Sequence, residues 1–276
     1  MTTPESTSAK RAAFRQLHES GCFMLPNPWD AGSALYLQSL GFKALATSSA
    51  GFAWSRARAD GALERGQVLS HLKELVSATP LPINADFENG FAKDADGVAE
   101  SVSLALETGI AGISIEDASG DSSSPIYSLE TAVERLRAAR AAIDQRGGDA
   151  VLVGRAENFL HGRPDLADTI ARLEAYAHAG ADCLYAPGIR TREEISAVVA
   201  AVAPKPVNVL VGWPSDLTLE ALAALGVRRV SVGGALARAA WGGLMRAAQT
   251  LAEGRFDGLT GAASGQELNA LFRQSR

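Results

Sequence analysis

Eight short apolar runs, each followed by a stretch with helical periodicity, constrain this chain more than any other feature. The runs lie at 23–26, 43–47, 81–85, 111–115, 150–154, 182–185, 206–211 and 228–232. Helices are read at 8–20, 30–40, 64–78, 94–108, 129–145, 166–179, 191–201, 217–225 and 235–253, with a last helical turn or two at 265–272. Repeated strand–helix units require right-handed crossovers and a parallel sheet. Eight of them in about 230 residues is the arithmetic of a closed (β/α)8 TIM barrel. An open doubly wound sheet is the alternative, but no Gly-x-Gly-x-x-Gly turn follows the first strand. No linker-like stretch interrupts the chain, so one barrel domain over 1–276 is expected, with a short polar N-terminal leader and a C-terminal helical tail.

Composition narrows the class. Apolar residues make up 47% of the chain and charged residues 21%, an ordinary soluble enzyme. The net charge of −5 gives no basic field for nucleic acid. No apolar run reaches the roughly 20 residues that a membrane helix needs. Cys22 and Cys183 lie far apart in sequence beside or within likely strands, as reduced thiols of a cytoplasmic protein would.

In a barrel the chemistry sits at the carboxyl ends of the strands. Ser48 and Ser49 follow the second strand, and Asp60 lies in the polar loop beyond them. Asp86 and Glu88 follow the third strand, Glu116 and Asp117 the fourth, and Arg155 and Glu157 the fifth. Asn208 lies in the seventh strand and Arg238 just past the eighth. Asp86 and Glu88, two apart on an extended segment, would point to one side. Such a pair repels unless a cation or a proton intervenes. Carboxylate-only ligands suit Mg²⁺, with Mn²⁺ possible. The structural alternative makes Asp86 a helix cap and Glu88 a solvated acid. Asp30 reads equally well as an N-cap. Their shared rim points to a carboxylate-bound metal facing a cationic clamp for a small anionic substrate.

Other chemistries are disfavoured. His18, His71, His161 and His178 do not follow a strand directly, which argues against a His-ligated zinc site. His161 is the one near the rim. No lysine ends a strand, so a Schiff-base aldolase is disfavoured. Gly233-Gly234 resembles a phosphate cradle but lacks a good companion loop.

Five stretches resemble the isocitrate lyase / phosphoenolpyruvate mutase superfamily, over roughly 14–253. They are Asp30-Ala-Gly-Ser-Ala, Thr47-Ser-Ser-Ala-Gly, Ala85-Asp-Phe-Glu-Asn-Gly-Phe, Gly112-Ile-Ser-Ile-Glu-Asp and Gly154-Arg-Ala-Glu. The family's Asp-x-Asp-x-Gly-[Phe/Tyr]-Gly motif has Glu88 for its second Asp and Ala92 for its closing Gly here. The resemblance implies that Asp86 binds Mg²⁺ directly and that Asp60, Glu88 and Glu116 hold its waters. It implies that Ser48 contacts substrate, that the N–H groups of Ser49 and Ala50 form an oxyanion hole, and that Arg155 pairs with a substrate carboxylate. Asn208 and Arg238 match substrate-site positions. It also implies a homotetramer, a dimer of dimers in which the last helices swap.

Departures from the family rebuild the rest of the site. The lyase Lys-Lys-Cys-Gly-His loop and the phosphonomutase Lys-Thr-Asn-Ser loop are both absent from 118–125. A strand-six Glu becomes Pro187, and of an Asn-x-Thr only Asn208 remains. A small 2-oxo or 2-hydroxy dicarboxylate is therefore expected, cleaved or decarboxylated through an enolate. P–C bond chemistry and a non-catalytic metabolite-binding barrel are the alternatives. The loop 118–127, with few apolar residues, is expected to be mobile and to close over the site. Apolar residues of the tail from Phe256 to Phe272 have no obvious intrachain groove, and burial against a partner is expected over folding back on the barrel.

Overall fold

The computed structural model describes residues 6–274; the first residues of the polar leader, 1–5, lie outside them. The chain runs α1 (Thr7–Leu17), β1 (Phe23–Leu25), α2 (Ala31–Ser39), β2 (Leu45–Ala46), α3 (Ser49–Ser55) and α4 (Arg65–Ala78). It continues β3 (Ile83–Asp86), α5 (Ala95–Glu107), β4 (Gly112–Glu116), α6 (Leu129–Gln145), β5 (Val151–Arg155), α7 (Leu166–His178) and β6 (Cys183–Tyr185). Then come α8 (Arg192–Val202), β7 (Val207–Leu210), α9 (Leu219–Ala224), β8 (Arg229–Ser231), α10 (Ala235–Ala252) and α11 (Gly265–Gln274).

The strands form one parallel sheet in the order β1-β8-β7-β6-β5-β4-β3-β2. This is the (β/α)8 barrel, and the open doubly wound alternative falls away. The remaining seam, between β1 and β2, is bridged by the Ala46 N–H to the Pro26 carbonyl at 3.1 Å. Asn27 completes it. Its amide donates to the Thr47 carbonyl at 2.9 Å, and its Oδ1 accepts from Val232 and Gly233.

Local chemistry explains the helix starts. Ser6, Asp30, Ser48, Asp94, Ser128, Asp165, Thr191 and Thr218 each cap a first turn with a side-chain oxygen. Asp30 forms a full capping box with Ser33, so its structural reading holds. One helix was not expected. α3 occupies what the sequence suggests is the start of a polar loop, and its seven residues are too few to show a period.

The sheet and its helices enclose one large core, including Leu72, Val102, Ile113, Ile115, Leu136, Leu152, Leu173 and Val198. A second cluster fills the lower barrel. There α1 inserts Phe14 among Leu25, Ala44, Ala111, Val151, Val153 and Cys183. Gly112 permits this plug, since a Cβ there would sit 2.7 Å from the Phe14 ring. Both cysteines are unpaired; Cys183 is buried and Cys22 half-buried.

The C-terminal helices behave differently. In α10 Ala237 is the buried residue, while Trp241, Leu244 and Met245 are 41%, 56% and 66% exposed. α11 lies against α2 of its own chain, with Phe272 beside Gly32. Part of the tail therefore has an intrachain seat, which corrects the expectation that none exists. No helix among the described residues is long and apolar enough to cross a membrane.

Candidate active site

The carboxyl ends of β2 to β5 bring the expected acids to one rim. β3 ends at Asp86, and the chain turns at once. Glu88 has φ +46°, in the left-handed region, so it does not continue an extended segment as the two-residue spacing suggested. A non-glycine residue rarely adopts this conformation, and such strain collects at functional sites. The turn is strapped from outside. Asn89 accepts from the Phe91 N–H and donates to the Ala118 carbonyl. Arg135 of α6 donates from Nη2 to the carbonyls of Asn89 and Ala92 at 2.7 and 2.8 Å. Arg135 occupies a core position of α6 beside Ala132, Leu136 and Ala139. A charge on an apolar stripe was its signal in the sequence.

Arg155, at the end of β5, is the hub. Its Nη1 lies 3.1 Å from Asp86 Oδ1 and 2.9 Å from Glu116 Oε2, and its Nε pairs with Glu157. Nη2 has no acceptor among the described residues. Burial would lower the Arg155 pKa, but Glu116, Glu157 and Asp86 outweigh it and keep the guanidinium protonated. The acids gain less than they lose. Burial pushes the Glu116 carboxyl well up, and Glu157, Asp86 and Glu88 push it further against the pull of Arg155. Burial, then Asp86 and Asp60, push Glu88 up to about 7. Asp60, at the mouth, is raised by burial and by Asp86. One guanidinium thus leaves a surplus of negative charge at the rim.

The turn after β2 faces this cluster. Thr47 Oγ1 accepts from the Asp86 N–H at 2.8 Å. The Ser48 hydroxyl caps α3 through the Gly51 N–H at 3.1 Å, and the Ser49 N–H donates to Asp86 Oδ2 at 3.0 Å. Of the two N–H groups expected to form an oxyanion hole, that of Ser49 is engaged, and that of Ala50 has no acceptor among the described residues.

Two adjoining cavities meet at Arg155. A shallow one of about 450 Å³ lies under 118–120 and includes Asp60, Glu88, Glu116, Glu157 and His161. A deeper one of about 170 Å³ runs from Ser48, Ser49, Ala50, Asp60, Asp86 and Arg155 into the barrel. Its floor holds Asn84, Asn208, Arg229 and Ser231, with Tyr185 on the wall. Asn208 is where the sequence placed it. Asn84, Tyr185, Arg229 and Ser231 were missed.

Other residues lie apart. Arg238 is exposed on α10 and donates to the Gly212 carbonyl, outside the lining of both cavities. Asp117 turns into the wall, where it accepts from Tyr176 at 2.6 Å, Arg172 at 2.9 Å and the Glu157 N–H at 2.8 Å. His161 lies 3.7 Å from Glu157. The loop 118–127 is a small hairpin closed by Ala118 and Ile126, and its Ser119, Asp121 and Ser124 bond to one another.

Among the described residues no three His, Cys, Asp or Glu side chains converge to cage a metal ion. The donor set fits a looser mode. Only carboxylate oxygens are offered, and they repel one another. Mg²⁺ prefers oxygen ligands, keeps several waters and commonly takes one or two carboxylates.

The phosphoenolpyruvate phosphomutase family model matches residues 14–252. The chain belongs to this family. A solved structure from Burkholderia cenocepacia J2315, a lyase/mutase whose activity its description leaves open, is 50% identical with a TM-score of 0.94, covering 97% of each chain. The oxaloacetate decarboxylase of Rhodopseudomonas palustris strain BisB5 is 31% identical over 217 residues, 76% of this chain and 72% of that one. The structure of oxaloacetate acetylhydrolase in complex with its product oxalate is 25% identical with a TM-score of 0.86, covering 97% of this chain and 95% of that one. Lyases and mutases thus share this fold and family, in agreement with the resemblance read from the sequence.

Proposed function

We propose that the chain is a Mg²⁺-dependent lyase or decarboxylase of a small 2-oxo or 2-hydroxy dicarboxylic acid, working through an enolate. The observation that carries this reading is the rim itself. Asp86 and Glu116 share a single guanidinium, Asp60 and Glu88 feel its charge, and Asp60, Glu88 and Glu116 are raised by burial and by their neighbours. A divalent cation would relieve that surplus. Asp86 would hold it directly, and Asp60, Glu88 and Glu116 would hold its waters. When bound, it would supply Lewis-acid polarisation of the substrate's oxo or hydroxy group.

The chain's own groups do the rest. Arg155 has Nη2 left for a substrate carboxylate while Nε and Nη1 stay on Glu157, Glu116 and Asp86. Ser48 and Ala50 line the deeper cavity, and the Ala50 N–H and the Ser48 hydroxyl would answer the charge of an enolate oxygen there. Closure of 118–127 would exclude water from that charge. The oxaloacetate-directed relatives, and the absence of the phosphonomutase Lys-Thr-Asn-Ser loop from 118–125, support a dicarboxylate. The test is product analysis by NMR over a panel of 2-oxo and 2-hydroxy acids with Mg²⁺, phosphonopyruvate included. Turnover of a dicarboxylate is expected. Turnover of phosphonopyruvate alone would replace this reading with P–C bond chemistry, and no turnover of any acid would favour a metabolite-binding barrel.

The same reading includes a homotetramer in which α10 packs on a partner. The exposed Trp241, Leu244 and Met245 support it, because such a stripe on a lone subunit favours association. Leu244→Glu with Met245→Glu should lower the mass seen by light scattering. A full-length chain that is monomeric at micromolar concentration would contradict it.

A further inference from the structure

The floor of the deeper cavity holds a second arginine that the proposed chemistry leaves without a task. Arg229, on β8, is 2% exposed yet lines the cavity. Strand register puts it in one row with the rim. Glu116 pairs with Arg155, Arg155 with Tyr185, Tyr185 with Asn208, and Asn208 with Arg229. Registered neighbours in a parallel sheet point to the same face, so this row descends the inner wall from rim to floor.

The partners of Arg229 are neutral. Its Nε donates to Asn208 Oδ1 at 2.8 Å. Its Nη1 lies 3.4 Å from Asn84 Oδ1 and 3.4 Å from His18 Nε2. His18 cannot carry a counter-charge, and burial, with Arg229 next, holds its imidazole neutral down to about 3. Among the described residues no carboxylate forms an ion pair with Arg229, and its Nη2 has no acceptor. Buried charges are normally paired, because an uncompensated one loses its hydration for nothing. A purely structural tie between β8, β7, β3 and α1 would use Nε and Nη1. It would not need the charge, and it would not leave Nη2 free beside an open cavity.

Asn208 strengthens the point. Its Nδ2 donates to Ser231 Oγ at 3.0 Å, which turns Oδ1 toward Arg229 and fixes the guanidinium. The cavity, at about 170 Å³, is small beside the roughly 300–1,000 Å³ of drug-sized sites, so a compact acid is what fits.

We infer that Arg229 is a second anion anchor, which takes the distal carboxylate of a dicarboxylate whose other end is held at the rim by Arg155. It thereby selects dianionic over monoanionic acids. The substrate class rests on the function proposed above, but anion binding at the floor requires neither metal nor turnover.

The test is made on the full chain, once in chelator and once with saturating Mg²⁺ to answer the negative charge of the rim, by calorimetric titration with oxalate, malonate, succinate and glutarate against acetate, propionate and pyruvate. Wild type should bind at least one dicarboxylate about 10–100-fold tighter than any monocarboxylate, the range of a charge-assisted pair. Arg229→Met should lose that preference and leave the weak monocarboxylate affinities unchanged. Arg229→Lys should restore part of it. Should Arg229→Met fail to fold, Asn208→Asp supplies a permanent counter-charge to Arg229 and should abolish the same preference in a folded chain. Equal binding of both classes by wild type under both conditions, or an undiminished preference in the Met or Asp variant, would overturn the anchor. A failed lyase assay with an intact dicarboxylate preference would sink the function and leave the anchor standing. Efficient dicarboxylate turnover with an unchanged KM in Arg229→Met would do the reverse.

Discussion

Arg155 and Arg229 stand on registered positions of one barrel wall, yet they keep opposite company. At the rim, Arg155 is pressed by Glu116, Asp86 and Glu157, with Glu88 and Asp60 close behind. At the floor, the side-chain hydrogen-bond partners of Arg229 among the described residues are Asn208, Asn84 and His18, all neutral. One end of the cavity has too much negative charge and the other has an unanswered positive one. A small dicarboxylate aligned between them would need a bound cation beside its upper carboxylate, and would set its lower carboxylate against Arg229. The pattern teaches more than either arginine alone, because it gives the cavity a direction.

The largest effect that would break this comparison is on stability, and it should differ in size between the two arginines. Arg155→Met leaves several buried carboxylates facing one another. Removing one partner of a buried pair typically costs about 3–5 kcal/mol. We expect a loss of that order in chelator, partly recovered by Mg²⁺. Arg229→Met removes a buried charge with no counter-ion among the described residues but strips the Asn208 oxygen of its donor, so it should cost less, about 1–3 kcal/mol. Denaturant melts of both variants check this, and equal losses would mean that Arg229 has a counter-charge after all.

Acid stability sharpens the floor. The His18 pKa falls from 6.5 to about 3, through burial first and Arg229 next. Between those values the unfolded chain binds a proton that the folded chain refuses, so stability is complete above about 6.5 and is lost as pH falls toward about 3. The window is worth on the order of 2–4 kcal/mol. His18→Gln should flatten that slope in melts taken from pH 7 to 4. An unchanged slope would show that His18 titrates normally.

The rim should show a smaller slope of opposite sign. Glu88 is raised from 4.5 to about 7 by burial, Asp86 and Asp60. The folded chain then holds a proton that the unfolded chain has released, so metal-free stability should fall as pH rises from about 4.5 to about 7. Allowing for partial exposure, the fall is about 2–6 °C in Tm. Glu88→Gln should reduce it, and saturating Mg²⁺ should remove it. A fall of undiminished size in Glu88→Gln would assign it to the other rim acids.

The barrel and the rim were legible because both are written in local sequence. Strand and helix periods give the eight units, and acids just past apolar runs mark the rim. The floor was hidden for a physical reason. Parallel barrel strands are apolar on both faces, so alternation does not say which side of Val207–Leu210 or Arg229–Ser231 looks inward. Register across strands decides it, and a single strand does not carry register. Polar residues inside these strands, Asn84, Asn208, Arg229 and Ser231, were the available signal. Glu88 misled for a related reason, since its spacing from Asp86 implied a strand where the backbone turns left-handed. Arg238 follows a family pattern, but its position on the exposed α10 leaves it outside the cavity lining.

The account stands most directly on whether the rim takes a divalent cation. Mn²⁺ binding followed by electron paramagnetic resonance reads this without substrate or turnover. Wild type should bind about one ion per chain, Asp86→Asn should bind at least about 10-fold more weakly, and Arg229→Met should match wild type. Absence of bound Mn²⁺ in wild type, or an Asp86→Asn chain that binds it equally well, would contradict the account.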